Sequence, residues 1–139
     1  MDGHEFWNAK AHYYKDFNEI NTLPPTLTLA NMPEIQNADN IVEVGCAWGL
    51  FTVFYLCNLE NAKSFISVDI PDTMVELAKK RKATTMGISR NIEHEFKVGD
   101  AQDLNFIQDE SMDIYVSNMC IHMMSDQAKF LKEARRVLR

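Results

Sequence analysis

The spacing of hydrophobic positions changes period several times along the chain. Between Phe6 and Ile20 the apolar residues Trp7, Ala11, Tyr14 and Phe17 recur at intervals of four, three and three, which predicts an amphipathic helix closed by Pro24-Pro25. The segment Leu27–Met32 predicts a further short helix, with Pro25 in its first turn and Pro33 as its stop. The period then shortens. Asn40-Ile41-Val42-Glu43-Val44-Gly45 is a β-branched run closed by glycine and predicts a buried strand, whereas Gly49 to Leu59 is apolar on nearly every side, as a buried helix is.

The alternation repeats. Ser64–Asp69 predicts a second strand, and Pro71–Met86 a helix in which Thr73 and Glu76 have capping-box spacing and Gly87 serves as the C-terminal cap. Ile92–Val98 and Met112–Asn118 predict a third and a fourth strand, and Ser125 opens a last helix with Phe130, Leu131, Ala134, Val137 and Leu138 on one stripe. Strands alternating with helices imply βαβ units and a parallel sheet covered on both faces, an α/β fold. The expected organisation is a single domain: a helical N-terminal cap over residues 1–34 and an α/β core over 35–139.

Composition removes several function classes. Of 139 residues 14 are basic and 20 acidic, a net charge of −6 with no basic run longer than Lys79-Lys80-Arg81-Lys82, so direct contact with a nucleic-acid backbone is not expected. The chain is 46% hydrophobic and 24% charged, with no apolar stretch long enough to span a bilayer. Its three cysteines show no C-x-x-C spacing, which argues against a disulfide framework and against a zinc site; no metal is expected. The first residues carry neither an apolar signal core nor transit-peptide character, and the expected location is the cytoplasm.

Candidate chemistry concentrates at Glu43-Val44-Gly45-Cys46-Ala47-Trp48-Gly49, where the first strand turns into the first buried helix. Small residues at 45, 47 and 49 let a tight turn bring backbone N–H groups close to a ligand, although glycine also ends strands for structural reasons alone. Asp69 closes the next strand, where an acid in such folds hydrogen-bonds the paired hydroxyls of a ribose; the alternative is a solvated strand-end carboxylate. A dinucleotide fingerprint requires a third glycine at position 50, which is Leu50, so a nicotinamide-dependent oxidoreductase is disfavoured. Glu43 adds negative charge near the loop and suits a ligand that is cationic there.

At these residues the sequence resembles the class I S-adenosylmethionine-dependent methyltransferases, whose first motif, E/D-x-G-x-G-x-G, stands here as Glu43 to Gly49. Val68-Asp69-Ile70 resembles the second motif, Gly99-Asp100-Ala101 the third and Asp113 to Asn118 the fourth, in the family's order across residues 35–139. The segment from Ser117 to Met124 is most similar to the ubiquinone- and menaquinone-biosynthesis type of small-molecule methyltransferase. The resemblance implies a Rossmann-like sheet in the order 3-2-1-4. It further implies that Glu43, Gly45, Cys46, Ala47 and Gly49 hold the methionine portion of S-adenosyl-L-methionine and that Asp69 takes the ribose hydroxyls. Ile70 would pack on the adenine, Asp100 and Ala101 would meet its amino edge, and Ser117 with Asn118 would floor the site. Tyr13 or Tyr14 would close over the cofactor, with Tyr14 alternatively a core residue.

Methyl transfer from a cationic sulfur needs alignment and exclusion of water more than a base, and S-adenosyl-L-homocysteine is its product. His122 is the one candidate base near the end of the fourth strand, with a structural histidine as the alternative. Two departures from the family stand out. Ala47 replaces the middle glycine, which is tolerable at negative φ. The chain also stops after Arg139, where the family continues into a fifth strand, so the fold is expected to be truncated, with the fourth strand an exposed edge open to a second copy or a partner chain. The implied function is methyl transfer to a small-molecule acceptor. The competing one is a non-catalytic methyltransferase-fold subunit that binds a partner through that edge.

Overall fold

The computed structural model describes residues 3–139, and of residues 3, 12 and 14–19 the backbone only. Four strands, β1 (Asn40–Val44), β2 (Ser64–Asp69), β3 (Glu93–Val98) and β4 (Ile114–Val116), form one parallel sheet in the order β3-β2-β1-β4. Around them lie α1 (Gly3–Ala30), α2 (Pro33–Gln36), α3 (Leu50–Asn58), α4 (Asp72–Thr84) and α5 (Gln127–Val137). The Rossmann-like order read from the sequence is the order observed. Among the described residues no helix is long and apolar enough to cross a membrane.

Strand residues alternate between two cores because successive side chains point to opposite faces. Ile41, Phe65 and Val116 pack with Phe51, Tyr55 and Leu56 of α3 on one face. Val42, Val44 and Val68 pack with Leu104, Ile107 and the α5 residues Phe130 and Val137 on the other. Each large side chain so buried contributes about 1.5–3 kcal/mol relative to exposure. A third cluster, Ala11, Trp48 and Met74 with Trp7 at its margin, seats α1 over the turn that follows β1.

Several local expectations are corrected. Pro24 and Pro25 do not end a helix; α1 runs through both. The prolines withdraw the amide donors that would reach Ile20 and Asn21, while the next carbonyl, that of Thr22, accepts from Thr26 Oγ1 at 2.7 Å and from Asn118 Nδ2 at 3.2 Å. Pro33 starts α2 instead of stopping the segment before it. Thr73 caps nothing, since its hydroxyl and amide both donate to Asn8 Oδ1 of α1, and α4 ends at Thr84 with Thr85, not Gly87, as its C-terminal cap. Leu131 is exposed, whereas its helix is capped by Asp126, which accepts from the Lys129 amide at 2.9 Å. The outer side of the fourth strand is not wholly without an intrachain neighbour: Met112 forms a parallel bridge to Leu138, with Met112 N–H donating to Val137 O and Arg139 N–H to Met112 O.

Candidate functional site

The cleft lies outside the carboxyl ends of the strands, where β1 and β4 diverge, the position at which open α/β sheets bind ligands. Its main cavity, about 200 Å³, is walled by Gly45, Asp69, Ile70, Asp100, Gln102 and Cys120, with Trp7 of α1 across the opening. A second cavity of about 100 Å³ shares Trp7, Gly45, Asp69 and Ile70 and extends to Ala47, Asn118 and four methionines, Met74, Met119, Met123 and Met124. A smaller recess of about 50 Å³ continues beneath α1 to Cys46, Trp48 and Asn118.

The turn after β1 needs left-handed backbone at alternate residues: Gly45 at φ 77°, Ala47 at φ 46° and Gly49 at φ 78°. Ala47 therefore does not sit at negative φ, and its strained conformation is held by a 2.6 Å hydrogen bond from its N–H to Asp69 Oδ2. The amides of the turn are directed inward instead of toward a ligand. Gly45 and Cys46 N–H both donate to Val68 O, and Gly49 N–H donates to Cys46 O. Gly45 is packed so closely that a Cβ would lie 2.7 Å from Cys120 Sγ, and at Gly49 one would lie 2.9 Å from Ala78 Cβ of α4.

Asp69 closes β2 and fastens the turn. Its Oδ1 accepts from Ile70 N–H at 2.8 Å, and the carboxyl is pushed up to about 6 by desolvation, against the pull of its two amide donors. Asp100 Oδ1 accepts from Gln102 N–H at 2.8 Å, and the Gln102 amide oxygen accepts from Ser125 Oγ and Asp126 N–H, tying the β3 end of the cleft to the start of α5. Asn118 donates to Thr26 Oγ1 at 3.0 Å and so joins the β4 end to α1.

Glu43 points elsewhere. It shares a face with Ile41, is 3% exposed, and accepts from Thr52 Oγ1 at 2.5 Å and Ser67 Oγ at 2.9 Å, under the turn instead of along the cleft. Burial pushes its carboxyl up to about 7, the two hydroxyl donors opposing and Asp69 adding to the rise. Of the other residues singled out in the sequence, Ala101 and Ile70 line the main cavity and Cys46 the recess, its thiol raised well above the ordinary range by burial. Gly49 and Ser117 line none of the three cavities. His122 is exposed on a short 3-10 turn, Ile121–Met123, and Tyr13 is exposed on α1. The side chain of Tyr14 lies outside the described residues. Trp7, Gln102, Cys120 and the methionines were not found from sequence; the helical stripe that contains Trp7 marked it only as core.

A profile of the methyltransferase domain family matches residues 42–139, most of the chain. The chain belongs to this family. The methyltransferase domain is similar in fold to a putative S-adenosyl-L-methionine-dependent methyltransferase from Methanococcus maripaludis, with a TM-score of 0.75 and 18% identity, over 100% of this chain and 62% of that one. It is similar to a chain in the complex between the Haloferax volcanii Trm112 methyltransferase activator and the putative methyltransferase, with a TM-score of 0.69 and 23% identity over 100% and 57%. The YcgJ protein from Bacillus subtilis gives 0.63 and 24% over 87% and 47%. The methyltransferase domain thus spans between 47% and 62% of the length of these structures.

Proposed function

We propose that the chain binds S-adenosyl-L-methionine in the cleft and transfers its methyl group to a small, largely apolar acceptor. The observation that carries this reading is Asp69. A carboxylate has about four lone-pair sites; two are occupied by the amides of Ala47 and Ile70, which leaves both oxygens able to accept from the adjacent hydroxyls of a ribose. Asp100, Ala101 and Ile70 then flank the adenine, and the methionine portion runs past Gly45 toward Ala47 and Asn118. The bound donor supplies the activated methyl group. The chain supplies orientation and exclusion of water, Trp7 and the methionines giving a soft apolar mouth that suits an acceptor of the same character. His122, exposed beside that mouth, is the candidate base if the acceptor must lose a proton.

Ligand that binds only the folded state raises its melting temperature by mass action. S-adenosyl-L-homocysteine is expected to do so in proportion to its concentration, while NAD does not. A rise with NAD alone sinks the reading.

A second reading is favoured by the sheet edge. Beyond the Met112–Leu138 bridge, no strand among the described residues pairs with the outer side of Ile114–Val116, and the Haloferax neighbour comes from a complex with an activator protein. In this reading a second copy or a separate chain docks at β4. Light scattering at dilute and concentrated protein tests it; a monomer throughout, with fast amide exchange from Ile114 to Ser117, refutes self-association there.

A further inference from the structure

Away from the cleft, a chain of polar side chains crosses the sheet from solvent to Glu43. Lys82 Nζ of α4 lies 3.0 Å from His94 Nδ1, His94 Nε2 lies 3.1 Å from Ser67 Oγ, and Ser67 Oγ lies 2.9 Å from Glu43 Oε2. The register explains the alignment, since Glu43 stands opposite Ser67 and Phe65 opposite His94. The His94 ring is fixed by a stacked Phe65 at 5.6 Å and an edge-on Phe96 at 4.4 Å.

Donor arithmetic sets the direction of the chain. An ammonium only donates, so His94 Nδ1 accepts. A neutral imidazole then carries its hydrogen on Nε2 and donates to Ser67, whose single hydroxyl hydrogen goes to Glu43. Thr52 donates to the same carboxylate oxygen from α3. Each donor points inward and strengthens the next, as coupled hydrogen bonds do at low dielectric. Burial, then the neighbouring Lys82, holds His94 neutral, down to about 3, in agreement with this assignment.

We infer that Lys82, His94 and Ser67 form a directional relay that favours the ionised form of Glu43 beneath the Gly45–Gly49 turn, and thereby act as positioning residues for the cationic end of the methyl donor. The second half of this statement rests on the function proposed above; the first does not. The groups facing Glu43 are Thr52 and Tyr55 from α3, Ser67 and Asp69 from β2, and Cys46 just beyond its own strand, and of these Asp69 is the like charge that opposes ionisation. Without the relay the buried carboxyl has Thr52 and an unpolarised Ser67 to set against that opposition.

The test is a titration of the Glu43 carboxyl carbon by NMR on the full chain, with the His94 ring nitrogens observed in the same samples. The variants are His94→Phe, which keeps an aromatic ring but ends the relay, Lys82→Met at its outer end, and His94→Gln, whose amide can accept from Lys82 and donate to Ser67. Expected are an Nε2–H tautomer that persists from pH 5 to 9, a Glu43 midpoint that moves upward in His94→Phe and Lys82→Met, and a return to the wild-type midpoint in His94→Gln. Calorimetry with S-adenosyl-L-methionine at pH 7 is expected to show about fivefold weaker binding in the first two variants, the worth of one such hydrogen bond, recovering at higher pH. An Nδ1–H tautomer, an ordinary histidine titration, or unmoved Glu43 midpoints would overturn the relay. Moved midpoints with unchanged affinity overturn its positioning role, and moved midpoints in a protein that never binds the ligand overturn the donor reading while leaving the relay intact. Should His94→Phe fail to fold, Lys82→Met, half-buried at the end of α4, decides the same points.

Discussion

Replacing Glu43 by glutamine tests whether a buried charge is being carried at the expense of the fold. The folded state holds this carboxyl near 7, the unfolded chain near 4.5, chiefly because the side chain is desolvated. Because the folded value is the higher one, the associated stability is fully present below about pH 4.5 and is lost as pH rises through 7. Once the group is ionised the loss amounts to about 3 kcal/mol. Glu43→Gln cannot ionise and escapes it. The variant also buries an amide NH₂ among hydroxyls already engaged with Glu43, at about 1–3 kcal/mol, but this cost does not vary with pH. Urea unfolding of both proteins from pH 4.5 to 8.5 is therefore expected to show a stability difference that moves by about 3 kcal/mol in favour of the variant as pH rises. Titration of all other carboxylates cancels between the two. A difference that stays constant across the range refutes the reasoning and means that Glu43 ionises as readily in the folded protein as in the unfolded chain, whereas one that keeps growing beyond pH 7 means that it stays protonated.

Three further outcomes are expected. Ala47→Gly relieves an L-residue held at φ 46°; the relief of about 1–2 kcal/mol exceeds the added chain entropy of about 0.4–1 kcal/mol, so chemical denaturation should find the variant unchanged to slightly more stable, whereas a loss of a full kcal/mol contradicts the turn geometry. Gly45→Ala places a Cβ 2.7 Å from Cys120 Sγ at φ 77°, and thermal unfolding should show a cost of about 1–3 kcal/mol. Asp69→Ala removes the acceptor of Ala47 and Ile70 N–H; calorimetry should find at least about tenfold weaker binding of S-adenosyl-L-homocysteine together with faster exchange of those two amides, and unchanged affinity in a folded variant reduces Asp69 to a fastener of the turn.

The strands were legible because a buried parallel sheet writes itself as short β-branched runs between helical periods, their order because four motifs resemble those of the methyltransferases, and Asp69 because it ends one of those runs. What escaped was set by partners far away in sequence. Prolines at 24 and 25 stop a helix by local rules, but the carbonyl of Thr22 receives a donor from Asn118, ninety-six residues on. Thr73 has the spacing of a cap, yet Asn8, sixty-five residues earlier, takes its hydroxyl. Gln102 owes its place to Ser125 and Asp126 across the β4 connection, which no periodicity records. The direction of Glu43 was different, since strand parity alone sets it on the face of Ile41, opposite Val42 and Val44. The family motif drew it toward the ligand, and the alternation pointed into the core.

The segment between β3 and β4 has little regular structure, yet α5 grips it from both ends. Arg136 donates to the carbonyls of Leu104 and Ile107 and to the carboxylates of Asp109 and Glu133, while Glu133 accepts from Leu104 N–H at 2.8 Å. At the other end Gln102 accepts from the first residues before the helix. Opening this loop therefore requires α5 to lift, and the two should behave as one cooperative unit. In native-state hydrogen exchange the amides of Leu104 and Ile107 are expected to open with the same denaturant dependence as those of Phe130 and Ala134, so that the wall carrying Asp100 keeps the timescale of a helix and not of a loop.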